Sequence, residues 1–229
     1  MLLALLLTGA VRADVTQLIV EGSYVSAYEH ALERAEGEEG REARAALLVQ
    51  AATAANLQAT YHETEGEARS HWFARAADAA QRAVELAPQS AEAHFQLARA
   101  LGQRAAYLDL TQKLSLVNHV RGLLQRTLEL EPDHAEARMA LALWHLELAK
   151  SGMGWLYGAR MDAVRTLFEE ALELEPERLS VRVEYGATLE RLGELAAARE
   201  AYQAALAVEP QSAQDRYEQE RALERLEAL

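Results

Sequence analysis

The stretch Gly152-Met153-Gly154-Trp155-Leu156-Tyr157-Gly158 has the glycine density of a loop that cradles phosphate. Such a loop aims free backbone N–H groups at an anion from the start of a helix. The dinucleotide form also needs a preceding strand, a βαβ unit and its last glycine one position earlier. Neither condition is met. The stretch therefore reads as a helix stop, a tight turn and a restart. Gly152 and Gly154 are expected to make the turn, because glycine accepts positive φ at little cost. Gly158 is expected to allow close helix packing, with Trp155 and Tyr157 covering the end of the hairpin.

Other reactive side chains are scattered. None of the seven histidines has the i, i+4 spacing with a glutamate that a helical zinc site uses. His134 is expected at a helix start, in solvent. No serine sits in a Gly-x-Ser-x-Gly elbow, and there is no cysteine to act as nucleophile, thiolate ligand or lipidated anchor. We expect no catalytic residues, no metal and no cofactor.

The elements that position these residues are helices. Ala, Leu, Glu and Arg dominate the 229 residues, and β-branched residues are scarce. The formal net charge is −13, with acids and bases mixed along the chain. Without a basic stripe, such a chain should repel nucleic-acid phosphates and anionic membranes. Only Lys113 and Lys150 are lysines.

Four prolines announce a repeat. Pro88, Pro132, Pro176 and Pro210 close the phrases AVELAP, TLELEP, ALELEP and ALAVEP. Each should end a helix, since proline lacks the N–H and its ring clashes with the preceding turn. Five residues earlier stand Ala83, Thr127, Ala171 and Ala205, and eight earlier stand Ala80, Leu124, Phe168 and Tyr202. Twelve earlier stand Ala76, Val120, Val164 and Ala198, on the same helix face. Ten residues after the first three prolines come Ala98, Ala142 and Gly186, small enough for a second helix to approach. Asp133 with Glu136, and Ser212 with Asp215, have capping-box spacing.

This is the tetratricopeptide pattern of paired helices that stack into a solenoid. We expect an all-α solenoid with repeats over 41–210 and lengthened helices in the middle units. The prolines are 44, 44 and 34 residues apart, so two units carry ten residues beyond the usual period. A helical hairpin is expected at 14–40 and a polar capping helix at 211–229.

The start, MLLALLLTGAVRADV, is apolar and uncharged up to Val11-Arg12-Ala13, which resembles a small-residue cleavage site. It is too short to span a bilayer. Residues 1–13 are expected to be an export signal. The chain after them should be extracytoplasmic, in the periplasm of a bacterium, without an integral membrane span; the alternative is a cytoplasmic protein whose apolar start is simply a first helix.

The span 95–176 resembles a more specific group. Leu101-Gly102 before a long helix, the Lys113 segment, Leu143-Trp144-His145 and the glycines before Gly158-Ala159 carry the likeness. So does the opening GSYVSAY. These features are similar to the tetratricopeptide domain of the regulator of microtubule dynamics family and its bacterial relatives. The resemblance implies a helical adaptor without catalysis. Some family members are attached to mitochondria, and some are linked to lipid binding. The microtubule role is not carried over, because an export leader is expected here at the start.

In tetratricopeptide arrays the first helix of each pair lines the concave face. Matching positions after the prolines gives Phe95, Met139 and Val183 in one row and Arg99, Leu143 and Ala187 in the next. A carboxylate clamp would need lysines and asparagines there, and has none. The expected site is an apolar trough closed at one end by Trp155 and Tyr157, with Arg99 ready for a carboxylate or phosphate. Its expected occupant is a protein or peptide. The alternative is a lipid or other acyl ligand walled by Phe95, Met139, Leu143 and Val183.

Overall fold

A computed structural model describes residues 14–229 of the chain; the expected export signal lies outside the described residues. Those residues form helices and no strand. The elements are α1 (Val15–Glu21), α2 (Tyr24–Gly37), α3 (Arg41–Leu57), a π-helical turn (Gln58–His62), α4 (Gly66–Leu86), α5 (Ala91–Arg104), a 3-10 turn (Ala105–Tyr107) and α6 (Leu110–Leu130). They continue with α7 (Ala135–Lys150), α8 (Gly154–Tyr157), α9 (Asp162–Leu174), α10 (Leu179–Arg191), α11 (Leu195–Leu206) and α12 (Ala213–Ala228). Adjacent antiparallel pairs stack side by side as an all-α solenoid. The first helices α3, α5, α7, α10 and α12 line the inner face, and α4, α6, α9 and α11 form the outer layer.

The repeat positions explain the packing. Every residue named five, eight and twelve positions before a proline is buried, as are Ala98, Ala142 and Gly186. More than half of the buried apolar residues are alanine. Such small side chains let helix backbones approach, so the core is a thin seam between layers. The same turn recurs before each of the first three prolines. The N–H groups of Ala87, Glu131 and Glu175 donate to the carbonyls of Ala83, Thr127 and Ala171 at 2.8, 2.8 and 3.0 Å. Thr127 fits an alanine position because its hydroxyl donates to the Leu123 carbonyl at 3.0 Å.

Several local expectations need correction. The Asp133–Glu136 capping box does not form, because the N-cap of α7 is the next residue, His134. His134 is buried rather than solvated, and its Nδ1 accepts from the Ala137 N–H at 3.3 Å. The full capping box is at Asp109–Gln112, before α6. The extra residues also divide unevenly. In the first long unit they extend α6 to 21 residues. In the second, α9 has only 13, and the insertion becomes the loop that carries α8.

Within that loop two glycines exchange their expected roles. Gly158, at φ +70°, is the left-handed cap of α8, and Gly152 turns the chain at φ +77°. Gly154 is the close-packing residue. A Cβ there would stand 3.0 Å from the Ala159 carbonyl oxygen and 3.2 Å from the Ala149 Cα. Trp155 does not cover the hairpin: it is 84% exposed. Tyr157 is the aromatic that packs inward, with Met153 and Ala159.

Candidate functional site on the concave face

The predicted rows fall on inner helices, and only part of them reaches the surface. Phe95 is buried on α5, with its ring centroid 4.5 Å from that of His134. Val183 is fully buried on α10, in a cluster with Leu179, Tyr202 and Ala222 of α12. Met139 and Leu143 are half-buried against Ala142, Leu146, Val164 and Phe168. Phe95 and Val183 are therefore core, whereas Met139 and Leu143 keep part of their surface on the inner face. An open surface depression of about 460 Å³ lies among Glu65, His71, Trp72 and Arg75 and shares no residue with the rows.

The concave face also carries a polar girdle. Asn56 on α3 donates through Nδ2 to Gln96 Oε1 at 2.7 Å, and Gln96 donates to Glu92 Oε1 at 2.7 Å. His134 Nε2 lies 3.2 Å from Glu92 Oε2. Because Nδ1 accepts from the helix N–H, the proton that reaches Glu92 is on Nε2. Burial opposes the Glu92 charge, yet hydrogen bonds from His134 and Gln96 outweigh it and hold its pKa below the usual glutamate value. One turn into α7, Glu136 takes up Arg178, and Ser180 Oγ donates to it at 3.4 Å. Glu184 on α10 pairs with Arg221 of α12. Arg221 also donates to Glu218 at 3.2 Å, and Tyr61 of the π-turn donates to the other oxygen of Glu218.

This chain of contacts ends one turn from where it began, since Asn56 and Tyr61 are near neighbours. The solenoid is therefore closed. Its last helix, α12, meets its first: a Cβ on Gly22, which ends α1 at φ +88°, would lie 2.8 Å from the Ala213 Cβ. The Tyr61 and Tyr217 rings stack with centroids 5.5 Å apart, and His62 Nε2 lies 2.7 Å from the Tyr217 hydroxyl. The π-turn, a rare backbone form, widens the end of α3 where these aromatics converge.

Closure changes the acid–base character of the seam. Burial drives the Glu218 pKa up, against the attraction of Arg221 and the hydrogen bond from Tyr61. Burial also pushes the Tyr24 hydroxyl up to about 12, and that hydroxyl has no hydrogen-bond partner. Arg99 lies among these groups, half-buried on α5, within electrostatic reach of Tyr24, Tyr61, Glu92 and Glu218. Among the described residues no hydrogen bond or ion pair holds its guanidinium. Sequence reasoning singled out Arg99 but missed the girdle. Glutamates and arginines on helices look like solvated surface until the partner helix is known.

The comparisons agree with this architecture. The profile of the family described as regulator of microtubule dynamics protein 1-3 matches residues 13–229. No curated protein was matched. The chain is similar in structure to TTC0263, a thermophilic TPR protein of Thermus thermophilus, with a TM-score of 0.66. That pair shares 18% sequence identity, over 91% of this chain and 95% of the other. MamA aligns more loosely, with a TM-score of 0.45 and 16% identity over 90% of this chain and 91% of its own. From the helical repeats, the GSYVSAY opening and the long middle units to a profile match over nearly the whole sequence, the chain belongs to the regulator of microtubule dynamics protein 1-3 family.

Proposed function

We propose that the protein is a non-enzymatic scaffold that binds a protein segment on its concave face. The observation that supports this is Arg99, a half-buried cation that the girdle surrounds but does not pair. The remaining inner charges are used between helices: Glu92 with His134, Glu136 with Arg178, Glu184 with Arg221. An incoming carboxylate at Arg99 gains a charge-assisted hydrogen bond without breaking any of these pairs. Phe95 and Val183 support the wall from behind and do not touch the partner. The same reading places the protein outside the cytoplasm after removal of residues 1–13; an intact mass beginning at Asp14 would test that part separately.

The experiment is affinity capture with tagged full chain from its own host, beside Arg99→Glu and Arg99→Lys. The expected result is a protein retained by the parent, lost with Arg99→Glu and partly kept with Arg99→Lys. Equal retention by all three folded variants removes Arg99 and the inner face from the proposal.

A further inference from the structure

The helices alternate in direction, so the turns that join first to second helix of each pair all lie along one edge of the solenoid. Exposed large apolar side chains gather there. Leu110 is 65% exposed beside Tyr107 in the α5–α6 turn, and Leu195 is exposed at the start of α11. Trp155 and Leu156 are 84% and 59% exposed on α8, with Met161 beside them. The opposite edge, where the prolines stand, has no comparable group among the described residues apart from Leu174.

The α8 knob is pinned, not loose. The Ala159 N–H donates to the Gly154 carbonyl at 2.8 Å, and Arg121 donates to the Tyr157 carbonyl at 3.1 Å. The Arg160 N–H donates to His145 Nδ1 at 3.1 Å. Burial and the nearby Arg121 and Arg160 lower the His145 pKa, so the ring stays neutral and able to accept. Tyr157 and Met153 face the core. Trp155 and Leu156 are thus held outward on a convex tip by a well-bonded base.

Charge follows the same edge. Segment 104–121 carries Arg104, Lys113 and Arg121 against Asp109, a net of +2. Segment 148–161 carries Lys150 and Arg160 with no acid, also +2. With the whole chain at −13, the remainder bears −17. Both lysines of the protein are in these two insertions. Of the acids that flank these segments, Glu147 pairs with Arg191 and Asp109 caps α6, while Asp162 lies 3.8 Å from Arg160 and offsets its charge. Lys150 Nζ donates to the Arg191 carbonyl at 2.7 Å and keeps its charge. The acidic turn around Glu63, Glu65 and Glu67 marks where the basic stretch ends.

We infer that this edge docks on the surface of an anionic phospholipid bilayer, with Trp155 and Leu156 inserted at headgroup depth and Lys113 and Lys150 near the phosphates. A convex tip suits a soft interface, whereas a rigid protein partner would need a matching socket. Tryptophan beside basic side chains is the composition of an interfacial anchor. The surface is separate from the concave face, so the two can be occupied together. It also revises the expectation that so acidic a chain avoids anionic membranes: the charge is unevenly placed.

The test is flotation of the full chain with vesicles of phosphatidylglycerol and phosphatidylcholine, beside vesicles of phosphatidylcholine alone. Binding is expected only to the anionic vesicles, weakened by salt. Trp155→Ala with Leu156→Ser should reduce it about tenfold or more. Lys113→Glu with Lys150→Glu should do the same. Tryptophan emission should shift to the blue on binding in the parent and in Trp72→Phe, but not in Trp155→Phe. Absence of binding to anionic vesicles overturns the inference, as does binding that both double variants retain. Binding to a polyglutamate peptide in place of vesicles, lost in the same variants, would replace the bilayer by an acidic protein.

Discussion

Tyr61 and Glu218 stand 157 positions apart in the chain and share one hydrogen bond. That bond joins the end of the third helix to the last, with a glutamate whose side chain is 3% exposed. Stacked tetratricopeptide units ordinarily touch only their neighbours. Here the first and last units also touch each other.

Removing the hydroxyl should therefore be felt at both ends. Tyr61→Phe leaves one oxygen of a buried carboxylate without its donor, which should cost about 1–3 kcal/mol in urea unfolding. Hydrogen exchange should accelerate in α12 and α1 together and leave the α6–α9 region unchanged. Protection that falls in α12 alone would show that the contact does not close the array.

The same carboxylate sets a pH dependence. Its folded-state pKa is raised above the ordinary value of 4.5, so the folded chain holds the proton more tightly than the unfolded chain. The stability this provides is full below 4.5 and is lost as pH rises through the folded-state pKa. Between about pH 4.5 and neutrality the parent should lose more stability than Glu218→Gln, measured as urea midpoints. Parallel curves for the two proteins would show that burial of Glu218 is relieved in solution.

Two glycines provide a matched pair of substitutions. A Cβ on Gly186 would lie 2.5 Å from Tyr202 Cε1, so Gly186→Ala should destabilise by about 1–3 kcal/mol through overpacking. Gly122, inside α6, has nothing within 4 Å of its virtual Cβ. Gly122→Ala should stabilise by about 0.5–1 kcal/mol through helix propensity. Differential scanning calorimetry of the two variants reads both signs, and a destabilised Gly122→Ala would contradict the packing described for α6.

What was legible in the sequence was what repeats locally. Ala76, Ala80 and Ala83 before Pro88 mark a packed helix face by spacing alone, and Gly186 opposite Tyr202 follows from the same periodicity. The inner rows fall on the inner helices, but two of their members, Phe95 and Val183, are buried. Val183 is covered by α12, and Phe95 by His134, whose own burial depends on where α7 begins. Tyr61 and Glu218 gave no signal, because a bond between distant helices leaves no period in either one. Trp155 was assigned to cover a hairpin end because aromatic residues usually bury. Gly158 instead turns the chain after Tyr157, so that the tyrosine packs inward and the tryptophan projects outward.

The closure between Gly22 and Ala213 has a consequence for how such a protein can evolve. Open arrays grow or shrink by duplication and deletion of units, since a new end is as good as the old one. A ring whose last helix is the neighbour of its first has no spare place. An added or deleted hairpin would carry α12 past α1 or short of it, separating Tyr61 from Glu218 at one stroke. Unit number in this lineage should therefore be held constant, and variation should be channelled into the lengths of individual hairpins, where the two ten-residue extensions already lie.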